Sequence, residues 1–149
     1  MGDPGYNGKM DAALDEVRQI YVDLAARPID RNCMRVKECC HFKLTGRTPY
    51  LTKGEALLAA KALRATGRRM LPVNPTGACP LLDAQTGDCL IYNSRPFGCR
   101  THFCAAAGGP YARREVIDLI RRLEATDESL GGTGPRLLQN AVGDALRET

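Results

Sequence analysis

The sequence predicts a mainly α protein in which about four helices surround an irregular, cysteine-rich metal-binding centre that carries a small β-hairpin. Three observations support this. Apolar residues recur at three- and four-residue intervals in four separate stretches, the spacing that lines one face of a helix. All seven cysteines fall between Cys33 and Cys104, in two irregular segments on either side of one predicted helix. Within the second segment, Leu81-Leu82 and Leu90-Ile91-Tyr92 flank Thr86-Gly87-Asp88, which is good turn chemistry for a hairpin.

At 149 residues the chain is expected to form a single domain, 1–149, large enough to bury about 68–70% of its unfolded surface. Hydrophobic content of 44% and charged content of 26% are ordinary for a globular protein. No apolar run approaches the length of a membrane span, and the first residues lack the order of a signal peptide. A cytoplasmic location is therefore expected. In that reducing compartment cysteines stay as thiols or bind metal, and an odd number cannot pair completely within one chain. The net charge of +4 is too mild to imply a polyanionic partner. Arg113, Arg114, Arg121 and Arg122 are interrupted by acids and lack interleaved aromatics, so they read as a solvated helix face and not as a nucleic-acid surface.

In chain order, residues 1–8 hold three glycines and a proline and read as a loose lead-in. Met10, Ala13, Leu14, Val17, Ile20, Tyr21 and Leu24 then share one face of a helix from about Lys9 to Ala26, stopped by Pro28. Thr52-Lys53-Gly54-Glu55 matches a capping box that opens a second helix ending at Gly67. Residues 71–80 should be irregular. Arg95-Pro96-Phe97-Gly98 reads as a tight turn that delivers Cys99. A helical C-terminal part, 111–147, holds a third helix from about Tyr111 to Ala125, with Val116, Ile117, Ile120 and Leu123 inward. After a Gly131-Gly132-Thr133-Gly134 linker a fourth runs from Pro135 to Arg147, with Leu138, Ala141, Val142, Ala145 and Leu146 apolar.

The chemistry lies in the cysteines of the 33–104 core. Thiolates are soft donors that suit zinc, copper(I) and iron–sulfur clusters. The spacings are C-x5-C-C, then C-x9-C-x9-C-x4-C, with no C-x2-C knuckle of the usual zinc kind. Neighbouring Cys39 and Cys40 can serve different metal ions, or different atoms of a cluster, with less strain than one small tetrahedral site would impose. Cys33, Cys39, Cys40, Cys79, Cys89, Cys99 and Cys104 are therefore the candidate ligands, for an iron–sulfur cluster ahead of Zn2+. Arg95 and Arg100 either offset the thiolate charge or pair with surface carboxylates. Asp83 and Tyr92 read as a turn side chain and a hairpin anchor. His41 and His102 are further donors, and His102 could also serve a reactive cysteine.

Cys79-Pro80-Leu81-Leu82-Asp83, Cys89-Leu90-Ile91-Tyr92, Arg95-Pro96, Cys99-Arg100 and Cys104, in that order, resemble the YkgJ-like cysteine-cluster family. That family is described as a zinc- or iron-chelating domain, and its pattern opens CxxCxxCC. The resemblance implies metal binding by these cysteines. It departs at Val36, where the pattern has its second cysteine; two four-ligand sites would leave one a ligand short, to be completed by His41, His102, water or a substrate. The family also resembles a segment of flagellin lysine N-methylase, which implies a shared metal-binding module only.

Three functions follow as expectations. The first is a small protein chelating an iron–sulfur cluster or zinc, acting in redox chemistry or in handing metal or electrons to a protein partner. The second is a structural zinc module for protein contacts. The third is an enzyme working through a reactive thiol.

Overall fold

The structure, a computed structural model, describes residues 4–27, 50–71, 80, 81, 83, 89–101 and 113–148. Among these residues the protein is mainly helical, with five α-helices and one two-stranded antiparallel sheet. The elements are α1 (Pro4–Ala25), β1 (Tyr50–Leu51), α2 (Lys53–Ala65), a 3-10 turn (Tyr92–Ser94), α3 (Phe97–Thr101), α4 (Arg113–Ser129), β2 (Arg136–Leu137) and α5 (Leu138–Glu148).

The apolar periodicity translates directly into packing. Ala13, Leu14, Val17, Ile20, Tyr21 and Leu24 are buried along one face of α1, with Met10 packed at its edge. On α5, Leu138, Ala141, Val142, Ala145 and Leu146 are all buried, as their spacing requires. Helix α2 lies at the centre, packed against α1, α4 and α5, and for that reason is buried almost all round from Gly54 to Ala60. It starts at the Thr52 capping box and ends ahead of Gly67, whose φ of 91° is the left-handed conformation a glycine tolerates. On α4, Val116, Leu119 and Leu123 are buried, while Ile117 and Ile120 are only half-buried.

Several expectations are corrected. Residues 4–8 belong to α1, because a proline is well suited to the first helical turn, where its missing N–H costs nothing. Helix α4 continues past Ala125 to Ser129; Thr126 and Asp127 are buried there, with the Thr126 hydroxyl donating to the Arg122 carbonyl. The Gly131–Gly134 stretch is a turn folded on Asp127, whose carbonyl accepts from the Gly132 amide at 2.8 Å and whose carboxylate accepts from the Gly134 amide at 2.9 Å. Helix α5 begins at Leu138, because Arg136-Leu137 pairs with Tyr50-Leu51, Tyr50 opposite Leu137 and Leu51 opposite Arg136.

The small antiparallel sheet thus joins the entry of α2 to the entry of α5. In the segment expected to form the hairpin, the Leu90 amide donates to the Leu81 carbonyl at 2.8 Å, while the paired strands among the described residues are β1 and β2. Tyr92 then enters the 3-10 turn and is not a strand residue. No helix among the described residues is long and apolar enough to cross a membrane.

Candidate metal centre

The Cys99 segment is set on the helical core by one carboxylate. Arg95-Pro96-Phe97-Gly98 is not the expected tight turn: Pro96 is buried, and its carbonyl accepts from the Cys99 amide at 3.0 Å and the Arg100 amide at 3.1 Å, opening α3. The Phe97 amide, one of the unpartnered donors every helix start exposes, is taken by Glu55 Oε2 at 2.6 Å. The same oxygen accepts from the Tyr21 hydroxyl at 3.2 Å. Glu55 Oε1 accepts from the Thr52 amide at 3.3 Å and the Thr52 hydroxyl at 3.0 Å. One side chain, 2% exposed, therefore ties α1, α2 and α3 together.

A buried carboxylate is costly unless its oxygens are satisfied, and here both are. Burial pushes the Glu55 carboxyl above its ordinary value, while the hydrogen bonds from Phe97, Thr52 and Tyr21 pull it back. The Tyr21 phenol is pushed well above its ordinary range, by burial first and then by the negative Glu55 beside it.

The Arg100 guanidinium lies over the Tyr21 ring, 4.2 Å from its centroid, a favourable cation–π contact. Its Nε donates to the Arg95 carbonyl at 2.7 Å and one terminal nitrogen to the Asn93 carbonyl at 2.8 Å. Burial and the neighbouring Arg95 lower the pKa of the Arg100 guanidinium, and the charges of Tyr21, Cys99 and Glu55 oppose that shift. Arg95 stacks over Tyr92, 4.0 Å from the ring centroid, and donates to the Tyr92 carbonyl at 3.0 Å. Both arginines are built into the segment by hydrogen bonds to its own carbonyls.

Cys89 and Cys99 are half-buried, and Cys89 packs against the apolar core beside Leu90. Cys33, Cys39, Cys40, Cys79 and Cys104 lie outside the described residues, as do Val36, His41 and His102. Among the described residues no group of three or more metal-ligating side chains comes together. Asp83 is half-buried. In the basic stretch of α4, Arg114 and Arg121 are exposed as expected, whereas Arg122 reaches α1 and pairs with Glu16 and with Asp23, the latter at 2.6 Å. Sequence reasoning placed Tyr21 on the apolar face and Glu55 in the capping box without joining them. The available signal was the tyrosine hydroxyl on an otherwise apolar face, which needs a partner once buried.

The family model for CxxCxxCC, described as a putative zinc- or iron-chelating domain, matches residues 32–124. The chain belongs to that family. The matched stretch contains all seven cysteines together with α2, α3 and most of α4, while α1 and α5 flank it. Neither a curated protein nor a solved structure matches the chain.

Two of the candidate donors, Cys89 and Cys99, are soft, half-buried thiols, neither sealed in the core nor fully in water, a donor chemistry that suits zinc or iron.

Proposed function

We propose that this protein is a metal-binding protein in which Cys99 and Cys89, with thiolates among Cys33, Cys39, Cys40, Cys79 and Cys104, hold an iron–sulfur cluster, or zinc in its place, for redox chemistry or for transfer of metal or electrons to a partner protein. Membership of a family described as zinc- or iron-chelating supports the metal. The observation that carries the reading further is the anchoring of Cys99: α3 is fixed at its first amide by Glu55, and the next residue, Arg100, is pinned over Tyr21. A thiolate donor is favoured by a held backbone and a nearby positive charge, and the Glu55 hydrogen bond and the adjacent Arg100 support that reading. The adjacent Cys39 and Cys40 and the absence of a C-x2-C knuckle favour a cluster over mononuclear zinc. When bound, such a cluster supplies one-electron chemistry, whereas zinc would hold the loops without it.

Anaerobic purification followed by visible spectroscopy and metal analysis tests this. Brown protein containing iron and acid-labile sulfide is the expected result. Colourless anaerobic protein with stoichiometric zinc would instead establish the structural zinc module, and rapid alkylation of all seven cysteines in the native protein would rule out both.

A further inference from the structure

We propose that Glu55, acting with Tyr21, is the positioning residue of the metal centre: it holds Cys99 and Arg100 in place before metal binds. The inference rests on the reading of Cys99 as a ligand and adds to it the residues that prepare the site. The entry to α2 shows why Glu55 is more than a generic helix cap. Two buried carboxylates serve the start of that helix. Asp127, 4% exposed, accepts from the Lys53 amide at 2.7 Å and turns its other oxygen to Gly134, on the side of β2 and α5. Glu55 closes the capping box and turns its other oxygen to the Phe97 amide, on the side of the cysteines.

Both carboxylates stabilise the same helix, and only Glu55 is connected to Cys99. The connection has two branches. One runs through the backbone, from the Phe97 amide into the turn that contains Cys99. The other runs through Tyr21, whose hydroxyl donates to Glu55 while its ring carries the Arg100 guanidinium. Tyr21 sits on α1, outside residues 32–124, so the centre draws a supporting residue from beyond the stretch that defines the family. The contacts in both branches are between protein groups. Supporting residues of this kind orient the ligands, and losing one costs roughly 10–100-fold in metal affinity.

The test compares the full-length wild type with Glu55→Gln, Tyr21→Phe and Asp127→Asn. Each is measured in two ways: alkylation of Cys99 by iodoacetamide in protein stripped with chelator under reducing conditions, followed by mass spectrometry, and the affinity of the stripped protein for Co2+, read from thiolate-to-metal absorption. In Glu55→Gln the amide nitrogen must face either the Phe97 amide or the Thr52 donors, so one contact is lost. The expected result is a rise of about fivefold or more in Cys99 alkylation, as local opening is eased, and a fall of about tenfold in Co2+ affinity. Tyr21→Phe keeps the ring under Arg100 and should move both readouts in the same direction by less; it decides the matter if Glu55→Gln does not fold. Asp127→Asn should lower thermal stability while leaving both readouts near wild type.

If Glu55→Gln and Tyr21→Phe change Cys99 reactivity no more than Asp127→Asn does at matched stability, the positioning role is overturned. A wild-type chain that takes up no metal, while Glu55→Gln still exposes Cys99, would overturn the metal reading and leave the hold of Glu55 on Cys99 standing.

Discussion

Gly54 brings three helices within contact of one backbone position. A Cβ there would lie 2.9 Å from Val17 Cγ2 on α1 and 3.1 Å from Thr126 Cγ2 on α4. Both neighbours are β-branched and cannot easily turn aside. Alanine in a helix interior gains roughly 0.5–1 kcal/mol over glycine, whereas forcing a methyl into a filled contact costs about 1–3 kcal/mol. Gly54→Ala is therefore expected to destabilise by about 1 kcal/mol, lowering Tm by roughly 2–4 °C in thermal denaturation for a chain of this size. A raised Tm would show that the helices yield. Gly132 is constrained differently: a Cβ at that position would fall on the Asp127 carboxylate. Neither requirement was legible in the sequence, where Gly54 stands inside a good helix signal and Gly132 inside an apparent linker. Each depends on an atom brought from a distant segment.

The elements were more legible than their ends. The buried faces of α1 and α5 match their apolar spacing, with Met10 at the edge of α1 half-buried, because a helix in contact with a core can bury only what its period puts on one side. Two departures follow from hydrogen bonds supplied by a remote partner: Glu55 caps α3, which stands where a tight turn was expected, and β1 delays the start of α5. Charges also join the elements. Arg122 of α4 donates to Glu16 and Asp23 of α1, and Arg27, just past α1, pairs with Asp118 of α4. Hydrogen bonds from Arg122 and Gln19 hold the Asp23 carboxyl below its ordinary value, and Arg27 does the same for Asp118. A carboxyl with a lowered pKa in the folded protein stabilises it fully above the unfolded value, and that contribution is lost as pH falls through the folded one. Arg122→Gln should therefore lower Tm at pH 7 and progressively less as the pH falls through and below the ordinary carboxylate range, the gap between variant and wild type closing in acid. Salt should narrow the gap at pH 7, since these side chains are more than a third exposed. A gap independent of pH would mean that Arg122 acts through packing alone.

For the molecule as a whole, the described core comes mostly from the helices. Of the buried apolar residues described, Leu81, Ile91, Pro96 and Phe97 come from the second cysteine-bearing segment; the rest lie on α1, α2, α4 and α5 or close beside them. Small metal modules unfold when stripped because metal replaces a core they lack. Here the helices bury a core of their own. Chelator-treated protein, kept reduced, is expected to retain its helical circular dichroism and a cooperative melt; loss of both would show that metal holds the helices as well.

Sequence alone determined the mainly helical class, the inward faces of α1 and α5, and a cysteine pattern that resembled the family to which the chain belongs. These are local properties, written in periods of three and four residues or in the order of a motif along the chain. Only the tertiary structure decided that the small sheet joins β1 to β2, that Glu55 caps α3 as well as its own helix, and that Tyr21 carries Arg100 beside Cys99. The physical reason is that a buried polar group takes whichever partner the packing brings to it, and for Glu55 those partners come from three places along the chain.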